Sequence, residues 1–165
     1  MTHPILLCVQ TVPLGSETKY QQRGMTLKLE LPAEKKWVFD IDVPIRWGDM
    51  DMMGHVNNTL YFRYLEIARL EWMYGLGVKS APIGEGPVIA NAFCNFIRQV
   101  SFPGTLLVRT YVSPPGRSSF ETWHEIMRTD DPATICATGG ATVVWADMVA
   151  EKSVPLPAFM REILT

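Results

Sequence analysis

Ten consecutive residues, Asp49 to Asn58, hold two carboxylates, one imidazole and two carboxamides: Asp49, Asp51, His55, Asn57 and Asn58. Groups of these types in one short stretch suit attack on a carbonyl carbon. Asp51, ionised near neutral pH, can add directly to an acyl group to give a mixed anhydride, or can take a proton from an attacking water. Either route builds negative charge on the carbonyl oxygen, and that charge needs hydrogen-bond donors. The stretch runs straight into the apolar segment Leu60 to Tyr74. If that segment is helical, the N–H groups of Asn58 to Leu60 have no intrahelical acceptor and point out at the positive end of the helix dipole. Asp51 and Asn58 are seven residues apart, so one loop can carry both halves of a site, with Gly48 and Gly54 allowing tight turns. A plainer reading stands beside this one: Asp49, Asp51 and Asn57 are residues that cap turns and helices, Asp49 also suits a partner of Arg46, and His55 suits a structural, hydrogen-bonded role.

The elements that must hold this loop are legible on both sides of it. Trp37, Phe39, Ile41, Val43 and Ile45 alternate with Val38, Asp40, Asp42, Pro44 and Arg46, the period of a half-buried strand, and Pro44 points to an edge position or to the strand's irregular end. From Leu60 to Tyr74 the period changes: Leu60, Tyr61, Tyr64, Leu65, Ile67, Ala68 and Trp72 fill one wide helical arc, which predicts deep burial. Asn57 or Asn58 supplies the N-cap, and Gly75 with Gly77 the stop. On the other arc Glu66 is spaced to pair with Arg63 and Arg69. After a Gly/Pro-rich loop, Ala81 to Pro87, strands are expected at Val88–Val100, Leu106–Val112, Phe120–Arg128 and Ile135–Trp145, separated by Pro103-Gly104, Pro114-Pro115-Gly116 and Asp130-Asp131-Pro132. Gly139-Gly140 marks a bulge or a close approach of another backbone. A short terminal helix is expected over Pro157 to Leu164. The sum is an α+β chain, a five-stranded antiparallel sheet around one long helix, whose uncovered sheet face calls for a second copy.

Composition narrows the classes. Fifteen basic and 17 acidic residues leave a net charge of −2 without a basic block, which disfavours nucleic acid. Cys8, Cys94 and Cys136 are odd in number and lack metal-ligand spacing, so a reducing, cytoplasmic setting is expected. The apolar patch Pro4 to Val9 is too short for a signal-peptide core and has no Lys or Arg before it, and no run is long enough to span a membrane. Residues 1–34 read as an N-terminal extension, in which Met25 is an alternative start, and residues 35–165 as the domain. Asp49-x-Asp51-x-x-Gly54 imitates the opening of a calcium loop, but Met53 and Leu60 stand where that loop needs oxygen ligands. There is no Gly-x-Ser-x-Gly elbow, and His3, His55 and His124 have no ligand spacing, so no metal and no redox cofactor is expected.

The run Asp49-x-Asp51-x-x-Gly54-His55-Val56-Asn57-Asn58 followed by Tyr61-Phe62-x-Tyr64-x-Glu66-x-Ala68-Arg69 resembles the acyl-CoA thioesterases of the 4-hydroxybenzoyl-CoA thioesterase family, which have the hotdog fold. The resemblance extends over about residues 37 to 150. It implies hydrolysis of an acyl-CoA to free acid and coenzyme A, with Asp51 as the catalytic aspartate, the Asn58 backbone N–H as the donor to the carbonyl oxygen, and active sites at the interface of a dimer or dimer of dimers. His55 then orients the substrate or stabilises the thiolate. Gly54, Val56, Asn57, Thr59, Tyr61 and Glu66 are expected near the acyl group, some hotdog thioesterases placing their carboxylate on this helix, with Arg98, Arg117, Ser118 and Arg128 near the coenzyme. The loop is also similar to that of plant acyl-carrier-protein thioesterases, but the asparagine two residues before their histidine is replaced here by Met53. A hotdog hydratase or dehydratase using Asp51 and His55, and a non-catalytic acyl-CoA-binding protein, are the alternatives.

Overall fold

The computed structural model describes residues 30–78 and 83–165. Most of the expected extension, and part of the loop before the second strand, therefore lie outside the described residues. Strand β1 (Lys36–Pro44) leads through a short 3-10 turn, Trp47–Asp49, and the loop to helix α1 (Asn58–Gly75). Strands β2 (Glu85–Phe96), β3 (Thr105–Val112), β4 (Ser119–Arg128) and β5 (Asp131–Asp147) follow, then a two-residue strand β6 (Lys152–Ser153) and helix α2 (Ala158–Leu164). All pairings are antiparallel, in the order β1-β3-β4-β5-β2, with β6 added to β5. The architecture is thus α+β with six strands rather than five, and the expected short terminal helix is present as α2 beside the long one. The sixth strand pairs only Ala146 and Asp147, too short a run to register as a period in the sequence.

Alternation sets the two faces of this sheet. In β4, Phe120, Thr122, His124 and Ile126 are buried while Glu121, Trp123 and Glu125 are half-exposed, and β3 follows the same rule. The inner face meets α1. Tyr61, Tyr64, Leu65, Ala68 and Trp72 are buried, as the helical arc requires, whereas Leu60 and Ile67 are only half-buried and Arg69 and Met73 join the interior. The helix is therefore rotated from the expected centre of the stripe, and Phe62, Glu66 and Leu70 face outward. Its close approach to β5 depends on Gly139: a Cβ there would stand 2.6 Å from Leu65 Cδ1 and 2.8 Å from the Phe93 carbonyl oxygen. The expected pairing of Glu66 with Arg63 and Arg69 is absent from the three ion pairs among the described residues, Lys35–Glu125, Arg109–Asp40 and Arg128–Asp130. Arg69 is buried, and Glu66 acts on it through its charge alone, offsetting part of the lowering that burial imposes on the guanidinium.

The outer sheet face, which the element inventory leaves uncovered, is polar over much of its extent. Cross-strand polar pairs occupy it: Arg109 with Asp40, the Tyr111 hydroxyl with Glu125 at 2.7 Å, Thr142 Oγ1 with Glu121, and Asn95 Nδ2 with Thr138. Exposed apolar surface gathers instead on β2, an edge strand whose Val88–Ala92 segment is exposed throughout. β1 forms the other edge, consistent with Pro44 at its end.

Candidate active site

Between β1 and α1 the chain makes a small flap. The turn at Trp47–Asp49 is closed by the Arg46 main-chain N–H, which donates to Asp49 Oδ2 at 2.8 Å. The flap's two limbs meet at an antiparallel bridge between Met50 and Val56. Its tip is closed by the Asp51 N–H donating to the His55 carbonyl at 2.8 Å and the Gly54 N–H to the Asp51 carbonyl at 3.1 Å. Gly54 has φ of +77°, the left-handed conformation that only glycine adopts without strain. The flap leans on the strand connection through the Val56 N–H, which donates to the Val100 carbonyl at 2.8 Å.

Asn57 is the N-cap of α1: its Oδ1 accepts from the Thr59 N–H at 3.0 Å and from the Thr59 hydroxyl at 2.8 Å. With Thr59 thus engaged, the Asn58 N–H is the first helical donor, and among the described residues it meets no acceptor. The helix stops where expected, with Gly77 at φ +82° just beyond it.

A cavity of about 430 Å³ opens where the flap, the helix start and the end of β2 converge, lined by Asp51, Met53, His55, Val56, Asn58, Tyr61, Phe96, Ile97, Arg98 and Gln99. Asp51 is half-buried here and Oδ1 accepts the Met53 N–H at 2.8 Å. His55 is half-buried on the same wall. Tyr61, itself buried, also lines the cavity, its ring set edge-on to Phe96 with centroids 5.1 Å apart. Burial, with smaller contributions from Cys136 and Cys94 nearby, pushes its phenol up to about 12, so it stays neutral. Burial likewise pushes the Cys94 thiol up to about 11, which removes it as a nucleophile at neutral pH.

The other sequence candidates fall elsewhere. Gly54 and Thr59 flank the cavity without lining it, and Glu66 lies exposed on the helix surface outside it. Arg117 and Ser118 precede β4 at the end of the sheet near α2, where their carbonyls accept from Leu156 and Trp145. That is about 25 Å along the strand from Ile126, which neighbours the β2 end. Arg128 is spent locally, on Asp130 and on the carbonyls of Ser101 and Pro103. Asp49 does serve the turn, but through Arg46's main chain rather than its side chain, and it also receives the Tyr64 hydroxyl at 2.8 Å. Phe96, Ile97 and Gln99 also line the cavity, and sequence reasoning does not single them out. Nothing local marks them, because they reach the loop only through long-range pairing, of β2 with β5 and of the Val56 N–H with the Val100 carbonyl.

The family model described as the thioesterase-like superfamily matches residues 45–164. An uncharacterised Bacillus subtilis (strain 168) protein, YsmA, is 30% identical over 112 residues, 68% of this chain and 75% of its own length. Among solved structures, the PA2801 protein of Pseudomonas aeruginosa, provisionally called a thioesterase, is 36% identical with a TM-score of 0.75, covering 79% of this chain and all of its own. A Xanthomonas campestris protein, provisionally called an acyl-CoA thioesterase, is 33% identical with a TM-score of 0.66, covering 73% of this chain and all of its own.

Proposed function

The chain belongs to the thioesterase-like superfamily and is a thioester hydrolase, and from that premise we propose that it cleaves an acyl-CoA with Asp51 as nucleophile or general base and the Asn58 N–H as oxyanion donor. The observation that carries this reading is that Asp51 and Asn58 line one and the same cavity. A thioester carbonyl seated there would have the free N–H at the helix N-terminus on its oxygen and the carboxylate beside its carbon. Attack by Asp51 forms an acyl–aspartyl anhydride and expels the coenzyme A thiolate, with water then releasing the acid. Acting as base, Asp51 instead takes a proton from the attacking water, and the same bond to sulfur breaks. His55, on the same wall, orients the thioester and supports the departing sulfur. Arg98 at the rim meets the coenzyme's phosphates.

The fold reading that accompanies this is a hotdog homodimer with a shared site. Supporting it is β2, an edge strand with unpaired backbone groups and exposed Val88 and Ile89, which continues into Phe96 and Ile97 at the cavity rim. A second copy added there would border the cavity and would bring its own Arg117 and Ser118 toward the coenzyme. A cytoplasmic location goes with the free thiols of Cys94 and Cys136. Among the described residues no helix is long and apolar enough to cross a membrane.

The test is free-thiol release from a panel of acyl-CoAs. Asp51→Asn keeps the size of the side chain but removes its charge, so turnover should fall by a factor on the order of 10² to 10⁴ while melting temperature and oligomer size hold. Near-normal turnover in Asp51→Asn together with a dead Glu66→Gln would move the catalytic carboxylate to the helix and reject the assignment.

A further inference from the structure

Besides apolar packing of Val56 and Met50, the loop is joined to the body of α1 by one buried side-chain hydrogen bond. Tyr64, on the second turn of the helix and 2% exposed, donates its hydroxyl to Asp49 Oδ2 at 2.8 Å; Asp49 is 5% exposed. The same oxygen takes the Arg46 N–H at 2.8 Å. Asp49's carbonyl accepts the Asn57 N–H at 2.9 Å. One residue therefore grips the strand side of the flap, the helix cap and the helix interior together. Asp51 lies two residues beyond Asp49 on one limb, and Asn58 lies one beyond Asn57 on the other. Apart from the cap made by Asn57 itself, no other side-chain hydrogen bond joins α1 to the flap among the described residues.

We propose that Asp49 and Tyr64 are a positioning pair for the thioester site, their buried hydrogen bond fixing the separation of the Asp51 carboxylate from the Asn58 N–H. The inference rests on the assignment of those two groups to catalysis. Its physical basis is that attack and oxyanion binding must be satisfied at one carbonyl, so a shift of the flap against the helix end of about 1 Å costs rate steeply. Neither side chain of the pair lines the cavity, so their effect reaches the substrate only through the groups they hold. The hydroxyl has no competing use: burial, reinforced by donation to Asp49, drives the Tyr64 phenol far above its ordinary range, so it remains a donor across the working pH.

Tyr64→Phe removes the oxygen and leaves the ring in the core. Two readouts are expected to move together. Amide exchange of Asp51 to Asn58 should accelerate by about tenfold while the β3–β4 ladder is unchanged, and kcat should fall by about tenfold with KM within about twofold of the parent. Asp49→Asn retains an oxygen that can accept from both Tyr64 and Arg46, so it should recover most of the kcat that Asp49→Ala loses. Tyr64→Phe placed in the Asp49→Ala background should add nothing further, since the contact is already gone. Unchanged flap exchange in Tyr64→Phe, or accelerated exchange with an unaltered kcat, would overturn the proposal, as would a rise in KM alone. Should Asp49→Ala not fold, the comparison of Tyr64→Phe with Asp49→Asn decides the matter. Failure of the catalytic assignment is distinguishable, because it would appear as an active Asp51→Asn while the exchange result still reports on the pair.

Discussion

His124 makes the stability of this protein sensitive to mild acid. It lies on the inner face of β4, fully buried, with Nδ1 3.1 Å from the Thr110 hydroxyl and no partner for Nε2 among the described residues. Burial lowers its pKa from the ordinary 6.5 to about 3, and the Arg69 guanidinium on α1 adds to the shift. The folded protein therefore holds this imidazole neutral, while the unfolded chain takes up a proton once the pH falls below its own value. With the folded value depressed, stability is fully present above about 6.5 and is lost progressively toward 3. Going from about pH 7.5 to about pH 5, an unfolded-state value of about 6.5 gives a loss of about 2 kcal/mol from this group alone, a large share of a typical stability of about 5 to 15 kcal/mol. Urea unfolding of the parent and of His124→Gln at several pH values isolates the contribution, because every other titrating group is common to both. The difference between the two stabilities should shrink by about 2 kcal/mol over that interval in favour of the variant. Parallel curves would show that His124 can charge in the folded state, and that the inner face near Arg69 is open to water.

Gly139→Ala should lower stability by about 1 to 3 kcal/mol, seen as a drop in melting temperature, because its Cβ would meet both Leu65 and the Phe93 carbonyl. Leu65→Ala in the same background should relieve only the side-chain part of that clash, leaving the backbone contact. Ile89→Lys puts a charge in the exposed edge of β2; light scattering should show the parent as a dimer or larger and this variant shifted toward monomer. A parent that is a fully active monomer would remove the reason for a shared site.

How far the sequence reaches is clearest in the flap. Gly54, Asn57 and the helix start are recoverable because each rests on local rules: a positive φ, a cap, a change of period. The same holds for the long strands, whose alternation survives into the burial pattern of β3 and β4. What fails is anything that depends on which face a neighbour covers. Its spacing from Glu66 groups Arg69 with the surface charges, yet the helix is rotated so that the residue is buried and sets its charge against His124. Nothing in the sequence of β2 sets it apart, because exposure along its edge is a property of strand order and not of its residues. Asp49 shows the limit most directly. Its type and position allowed a turn cap, and it is one; the hydroxyl that completes its role comes from Tyr64, fifteen residues on, a residue whose helical period alone assigns it to the core. The ring obeys that rule and the oxygen does not. A residue that satisfies the apolar pattern and also carries a polar atom to a buried partner cannot be separated by periodicity from one that only fills space, and the link from helix to flap therefore emerges only once α1 and the loop are seen together.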